Sequence, residues 1–346
     1  MPNLYNKYRP HDFEDVVEQG LVVKMVKKIC EEDPLKSRNL LFIGSAGIGK
    51  TTISRIVART LNDGSDNFIE IDAASHNSAE SVREIVKQAQ MYPIGCKYKV
   101  FIIDEVHCLS TTGWSILLKT LEESPAKSVF IMCTTNSEKI PATILSRVQT
   151  FQLSKISTEG INKRLLHVIS KENEDGASIT YEDNAVKLIA RLANGGMRDA
   201  MTLLDRALVF SNNLSSENVV KALDLPNYDD YFSLLSAYAK KDNTAICSII
   251  DSVYNSGINF VRWVEQFHSF IMNVLKFIFL QDIGRTVVPD YYLPKISKYS
   301  ASHAAICMKL SNKLVELIPE LKTSPYMQEI TLSYLCTEVR KESTTA

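Results

Sequence analysis

Gly44-Ser45-Ala46-Gly47-Ile48-Gly49-Lys50-Thr51 has the spacing GxxxxGKT, and Thr52 follows it. Those residue types at that spacing can cradle a polyphosphate. Glycine at 44, 47 and 49 lets the backbone wrap closely around the ligand with its N–H groups turned inward. A helix starting behind the loop adds partial positive charge. Lys50 brings a mobile cation to the β- and γ-phosphates, and the Thr51 hydroxyl can hold Mg²⁺. A glycine-rich strand-to-helix turn without a ligand would use similar residues, so context decides. An apolar run ends at Ile43, and Ile53, Ile56, Val57 and Leu61 follow at helical spacing. Strand, loop and helix are therefore all in place.

A second cluster, Val100-Phe-Ile-Ile-Asp104-Glu105, is an apolar strand ending in two carboxylates. Alternation along a strand sends adjacent side chains different ways. Asp104 is thus expected over the metal, and Glu105 beside the γ-phosphate, where it can polarise water. With His107 the run reads Asp-Glu-x-His, superficially a helicase signature. That reading requires a second α/β domain, and the C-terminal half shows no strands to build one.

The elements that must carry these residues have two textures. Up to about residue 152, apolar runs at 39–44, 67–72, 98–104, 128–134 and 148–153 alternate with helix-period segments. This predicts a parallel sheet covered on both faces by helices. After Leu153 the strand pattern stops. Ile161, Leu165 and Val168 step as a helix, as do Val186, Ile189 and Ala193, and Thr180–Asp183 before the second set reads as a capping box. A third helix spans about 197–210. Further on, Phe260, Val264, Phe267, Ile271, Val274 and Ile278 form one stripe, and Leu310, Leu314, Leu317 and Leu321 another. Such stripes read first as core, and alternatively as surfaces for neighbouring subunits. The expected division is an α/β domain over 1–153, a helical lid over 154–211 and an all-helical region over 212–346, with a polar tail after Arg340.

Only 13 glycines and 11 prolines occur among 346 residues, which excludes collagen-like and low-complexity classes. The formal net charge is −1, so contact with nucleic acid must come from a local patch. Seven cysteines without a CxxC pair suit reduced thiols in a cytoplasmic compartment. The start MPNLYNKYRP has no secretory apolar core, and FIMNVLKFIFL at 270–280 is too short to span a bilayer. No membrane role is expected.

IDAASHNSAESVRE, YKVFIIDEVHCLS, LLKTLEESP, TTNSEKIPATILSR and GGMRDAMTLLDRA, with KYRPHDFEDVVEQ near the start, closely resemble the ATPase (gamma/tau) subunits of bacterial DNA polymerase III clamp loaders, a branch of the AAA+ ATPases. The resemblance is dense from about residue 4 to 210. Beyond that it rests on position and helicity, where the family has an oligomerising collar. It implies ATP and Mg²⁺ as cofactors, with Lys50, Thr51, Asp104 and Glu105 in the roles argued above. Thr135-Asn136 falls at sensor 1, the polar group near the γ-phosphate. Ser146-Arg147-Val148 matches the family's Ser-Arg-Cys motif, whose arginine reaches into a neighbouring subunit's site. Arg198 matches sensor 2 on the lid, and Tyr8, Arg9, Pro10 and Val17 lie in the segment that packs around adenine. Basic residues at the positions of Arg83 and Lys119 face primer–template phosphates in relatives. Read from the residues alone, Arg83 and Lys87 at i and i+4 fit a solvated helix face equally well.

Two departures stand out. The family's four-cysteine zinc module is replaced by Leu61-Asn-Asp-Gly-Ser-Asp-Asn67, so no zinc is expected. The chain also ends without the long tau tail that recruits polymerase and helicase. Together these suggest a minimal, virus-encoded version acting in a bacterial cytoplasm. The function implied is that of an ATPase subunit loading a ring-shaped sliding clamp onto primer–template DNA. Its implied partners are the other subunits of a ring, five-membered by family resemblance, and the replicative polymerase. The alternatives are a AAA+ DNA motor or helicase loader, or a structural subunit that binds nucleotide only to assemble.

Overall fold

The computed structural model describes residues 3–32, 39–123, 125, 127–225, 228–281, 288–289 and 292–336. The chain divides into two compact units: Met1–Ile179 with Leu192–Val209, and Thr180–Arg191 with Phe210–Ala346.

The first unit opens with α1 (Leu4–Lys7) and α2 (Gly20–Cys30). There follow β1 (Asn39–Ile43), α3 (Lys50–Leu61), β2 (Phe68–Asp72), α4 (Ala79–Gln90), β3 (Lys99–Asp104), α5 (Thr111–Glu122), β4 (Ser128–Thr134), α6 (Ala142–Leu145), β5 (Gln149–Gln152) and α7 (Thr158–Glu174). The five strands pair in the order β2-β3-β4-β1-β5, parallel throughout. Each expected strand forms to within a residue or so.

Alternation decides what covers each face. Leu40, Phe42, Val100, Ile102, Ile131 and Cys133 meet Ile53, Ile56 and Val57 of α3 and Val26 of α2. Leu41, Ile43, Phe101, Ile103, Phe130 and Met132 meet Val82 and Ile85 of α4 and Trp114 and Leu117 of α5. Both faces are buried, which is why the strands read as unbroken apolar runs. Stacked rings, Phe42 on Phe151 at 5.4 Å and Phe101 on Phe130 at 5.3 Å, lie one on each side.

The strand order places the site. β4 lies between β1 and β3, with Ile43 opposite Thr134 and Ile103 opposite Met132. The carboxyl ends of β1, β4 and β3 are therefore neighbours, and the residues after each one converge.

In the second unit β6 (Thr180–Tyr181) and β7 (Asn213–Leu214) form a short parallel pair. Two residues per strand are too few to leave a period in the sequence. α8 (Asp183–Leu192) follows β6, while α9 (Met197–Phe210) runs as expected and belongs, through Val209, to the first unit. The capping-box reading at Thr180 does not hold. The Thr180 hydroxyl is drawn to Asn213 Oδ1 at 3.2 Å by the strand pair, and the Glu182 carbonyl accepts the first helical bonds, from Ala185 and Val186.

Among the described residues the remaining elements are helices: α10 (Ser216–Ala222), α11 (Tyr228–Lys240), α12 (Asn243–Asn255), α13 (Phe260–Leu280), α14 (Leu293–Ile296), α15 (Ala301–Leu321) and α16 (Met327–Leu335). The stripe on α13 and the leucines of α15 are buried against each other in one core, which bears out their reading as core. Aromatic residues fill its centre, with Tyr231 against Trp263, Phe267 and Phe270. Among the described residues no helix is long and apolar enough to cross a membrane. The tail after Arg340 lies outside the described residues.

Candidate nucleotide site

α4, α5 and α7 each begin with a serine side chain that accepts a backbone N–H of the first turn: Ser78, Ser110 and Ser157. α3 has no such cap. Its N-cap is Gly49 at φ +111°, in the left-handed region that favours glycine. The N–H groups at this helix start are left for a ligand.

Lys50, 6% exposed, folds back and donates to the carbonyls of Gly44 and Ser45, each at 2.9 Å. These carbonyls hold an otherwise buried cation in the loop it serves. The Thr51 hydroxyl donates to Asp104 Oδ2 at 2.8 Å, while Asp104 Oδ1 accepts the Glu105 N–H at 3.0 Å. A hydroxyl and a carboxylate side by side suit Mg²⁺, which takes one or two hard protein oxygens and completes its shell with phosphate and water. Among the described residues no group of three or more His, Cys, Asp or Glu side chains converges on a point.

Strand alternation is not what separates the two carboxylates. β3 ends at Asp104, and Glu105 has φ +47°. That left-handed kink, costly for a residue with a side chain, turns Glu105 toward the end of β4. There its Oε2 accepts the Thr135 hydroxyl at 2.9 Å and the Thr135 N–H at 3.2 Å. Asn136, by contrast, accepts the Glu138 N–H into its own turn.

One cleft is lined by loop residues Ala46–Thr52, by Asp104 and Glu105, and by Tyr8, Arg9, Pro10 and Val17. Arg198 joins them from α9. Its N–H donates to the Gly47 carbonyl at 3.2 Å, which ties the start of α9 to the loop. A Cβ on Gly47 would stand 3.2 Å from the Arg198 Cβ, at a φ of +72°. Glycine is needed there for both space and conformation. The N-terminal segment that follows Val17 is strapped down through Gln19, whose side chain donates to the Ser154 carbonyl at 2.7 Å and accepts the Ser154 N–H at 3.2 Å.

Several lining residues escaped the sequence reading. Tyr5 has the guanidinium groups of both Arg9 and Arg198 over its ring, at 4.6 and 5.2 Å. Arg164 donates to the Tyr8 carbonyl at 2.9 Å, and burial pushes its pKa down although a guanidinium stays charged. Met197 and Met201 line the cleft from α9. The signal for Arg164 was faint: a basic residue three positions after Ile161, flanking the apolar stripe of α7. Behind the loop, burial raises the Cys133 thiol, which contacts Ser54 at 3.2 Å. That marks Cys133 as inert packing.

Arg147 stands apart from the cleft lining. It follows α6, is exposed, pairs with Glu122 at 2.6 Å and donates to the Thr143 carbonyl at 2.7 Å and to Ser146 Oγ at 3.0 Å. Arg83 on α4 and Lys119 on α5 are also exposed, on helices that pack together.

The five-stranded parallel sheet, the phosphate loop, the acidic strand end and the arginine-bearing helix over the loop define a AAA+ ATPase fold. Solved structures agree: the Thermotoga maritima RuvB Holliday junction branch migration motor superposes with a TM-score of 0.53 at 19% identity, covering 66% of this chain and 78% of that one. A family model described as the DNA polymerase III delta subunit matches residues 66–157, and one described as the ATPase lid domain of the DNA polymerase III clamp loader subunit matches residues 160–213. The DNA polymerase III subunit gamma of Buchnera aphidicola (subspecies Schizaphis graminum) is 33% identical over 78% of this chain and 79% of its own length. The gamma/tau subunit of Mycoplasma genitalium is 30% identical over 95% of this chain, and the tau subunit of Bacillus subtilis 38% over 61%. The chain belongs to the DNA polymerase III gamma/tau subunit family. It spans 58% of the length of the M. genitalium relative and 40% of the B. subtilis one.

Proposed function

We propose that this chain is an ATPase subunit of a replicative clamp loader, which uses ATP binding and hydrolysis to place a sliding clamp on primer–template DNA. The observation that carries this reading is the convergence of Lys50, Thr51, Asp104 and Glu105 in one cleft beneath Arg198, in a chain of this family. Lys50 leaves its loop carbonyls for the β- and γ-phosphates, and the free N–H groups of the loop take the rest of the charge. Thr51 and Asp104 would hold Mg²⁺, which when bound neutralises charge on the phosphate oxygens. Glu105 accepts a proton from water as the water oxygen bonds to the γ-phosphorus, and the bond from phosphorus to the β–γ bridging oxygen breaks. Tyr8, Arg9, Pro10 and Val17 receive adenine.

Arg147 completes the site of the adjoining subunit. Its place outside its own cleft supports this role, because an arginine that stabilises transferring phosphoryl oxygens, worth about 10³–10⁵ in rate, must reach a bound triphosphate. Hydrolysis then depends on a closed assembly, a ring of five by family resemblance. We assign 1–153 to the ATPase domain, 154–211 to the lid and 212–346 to the collar. Arg83 and Lys119 would track primer–template phosphates without reading bases. Steady-state phosphate release from the assembled loader should rise when primed DNA and a sliding clamp are added together, and fall with salt. Indifference to both additions would remove clamp loading as the function.

A further inference from the structure

The Glu105 carboxylate is gripped by one oxygen. Oε2 faces the Thr135 hydroxyl at 2.9 Å, the Thr135 N–H at 3.2 Å and His107 Nδ1 at 3.2 Å. From the described residues no hydrogen bond reaches Oε1.

The same His107 Nδ1 lies 3.0 Å from the Thr134 hydroxyl. That hydroxyl donates its one hydrogen to the Asn136 carbonyl at 3.1 Å, and accepts the Asn136 N–H at 3.0 Å. With that hydrogen given to Asn136, the imidazole contact is made by an Nδ1–H donor. A bare Nδ1 would also turn its lone pair on a carboxylate oxygen. Both arguments place a hydrogen on Nδ1, which is hydrogen-bonded to the last residue of β4 and stands 3.2 Å from Oε2 of the glutamate just after β3, close enough to attract it electrostatically. Thr134 is fully buried, so this anchor is fixed by the sheet itself.

We propose that His107 is a positioning residue for hydrolysis: its Nδ1–H, pinned at Thr134 and helped by the Thr135 hydroxyl, holds Glu105 by Oε2 so that Oε1 faces the attacking water. This rests on Glu105 being the general base. Without the grip, a carboxylate on a left-handed kink can rotate away from the water, and small misplacements of a reacting group cost rate steeply. His107 touches neither nucleotide nor water in this account, so nucleotide affinity is untouched by it.

The test compares His107→Phe, which keeps a ring and loses the donor, with His107→Asn, whose amide nitrogen occupies the Nδ1 position. Steady-state phosphate release by the full assembly and ATP binding by the full chain are measured for both, with Glu105→Gln alongside. The Phe variant should lose about ten-fold or more in kcat with KM and ATP affinity within about two-fold, and Asn should recover most of that loss. If Phe fails to fold by thermal melting, His107→Ala is judged by the same criteria. Wild-type kcat in the donor-less variant, Asn no better than Phe, or a loss confined to KM would each overturn the proposal. Full turnover by Glu105→Gln would instead overturn the general-base assignment, so the two failures are told apart.

Discussion

At the scale of single residues, the proposed reading separates side chains that hold the nucleotide from the one that cuts it. Lys50 is bonded to the carbonyls of its own loop, and Thr51 to Asp104. Glu105 differs in being kinked out of β3 and aimed by its neighbours. Replacing it with glutamine keeps the size and removes the basic oxygen. Glu105→Gln is expected to bind ATP as the native chain does and to lose about 10²–10⁴ in turnover, the usual worth of a positioned general base. Equilibrium nucleotide binding together with phosphate release checks both halves. A variant that binds and still cleaves would show that water is activated elsewhere.

At the scale of elements, the start of α3 and the start of α9 meet across Gly47. The backbone bond from Arg198 to Gly47 and the small gap between them mean that loop and lid helix share one glycine. Gly47→Ala introduces a left-handed strain of about 1–2 kcal/mol and a crowded Cβ together. We expect a lowered melting temperature and weaker ATP binding, measured by calorimetry and by titration. Gly49→Ala makes the instructive control for stability, since no protein atom lies within 4 Å of a Cβ there and only the conformational cost applies before nucleotide binds. If the two variants melted at the same temperature, contact with α9 would play no part in the loop's shape.

At the scale of the whole molecule, the decisive feature is where Arg147 is not. Its guanidinium is occupied by Glu122 and by the turn before it, away from its own cleft. An arginine serving a neighbour makes activity a property of the seam between copies. Assemblies that mix Arg147→Ala with Lys50→Ala chains should therefore regain part of the turnover that each lacks alone, because a seam can pair an intact cleft with an intact arginine. Mixed-assembly phosphate release that never exceeds the sum of the separate activities would place the arginine's role within its own chain.

The phosphate loop was legible because all its parts are contiguous: eight residues carry the glycines, the cation and the hydroxyl. The strands were legible because burial on both faces leaves unbroken apolar runs, and α13 and α15 because a one-sided stripe is itself the packing instruction. The strand order that sets β4 between β1 and β3 was not written in any local pattern. Nor was the gathering of Tyr5, Arg164 and Met201 around one cleft, or the kink that carries Glu105 to Thr135 and His107. A chemical motif or a burial period repeats within a few residues and survives in one sequence. Which distant segments meet is decided by the joint packing of the whole sheet and its helices, which leaves no mark at any single position.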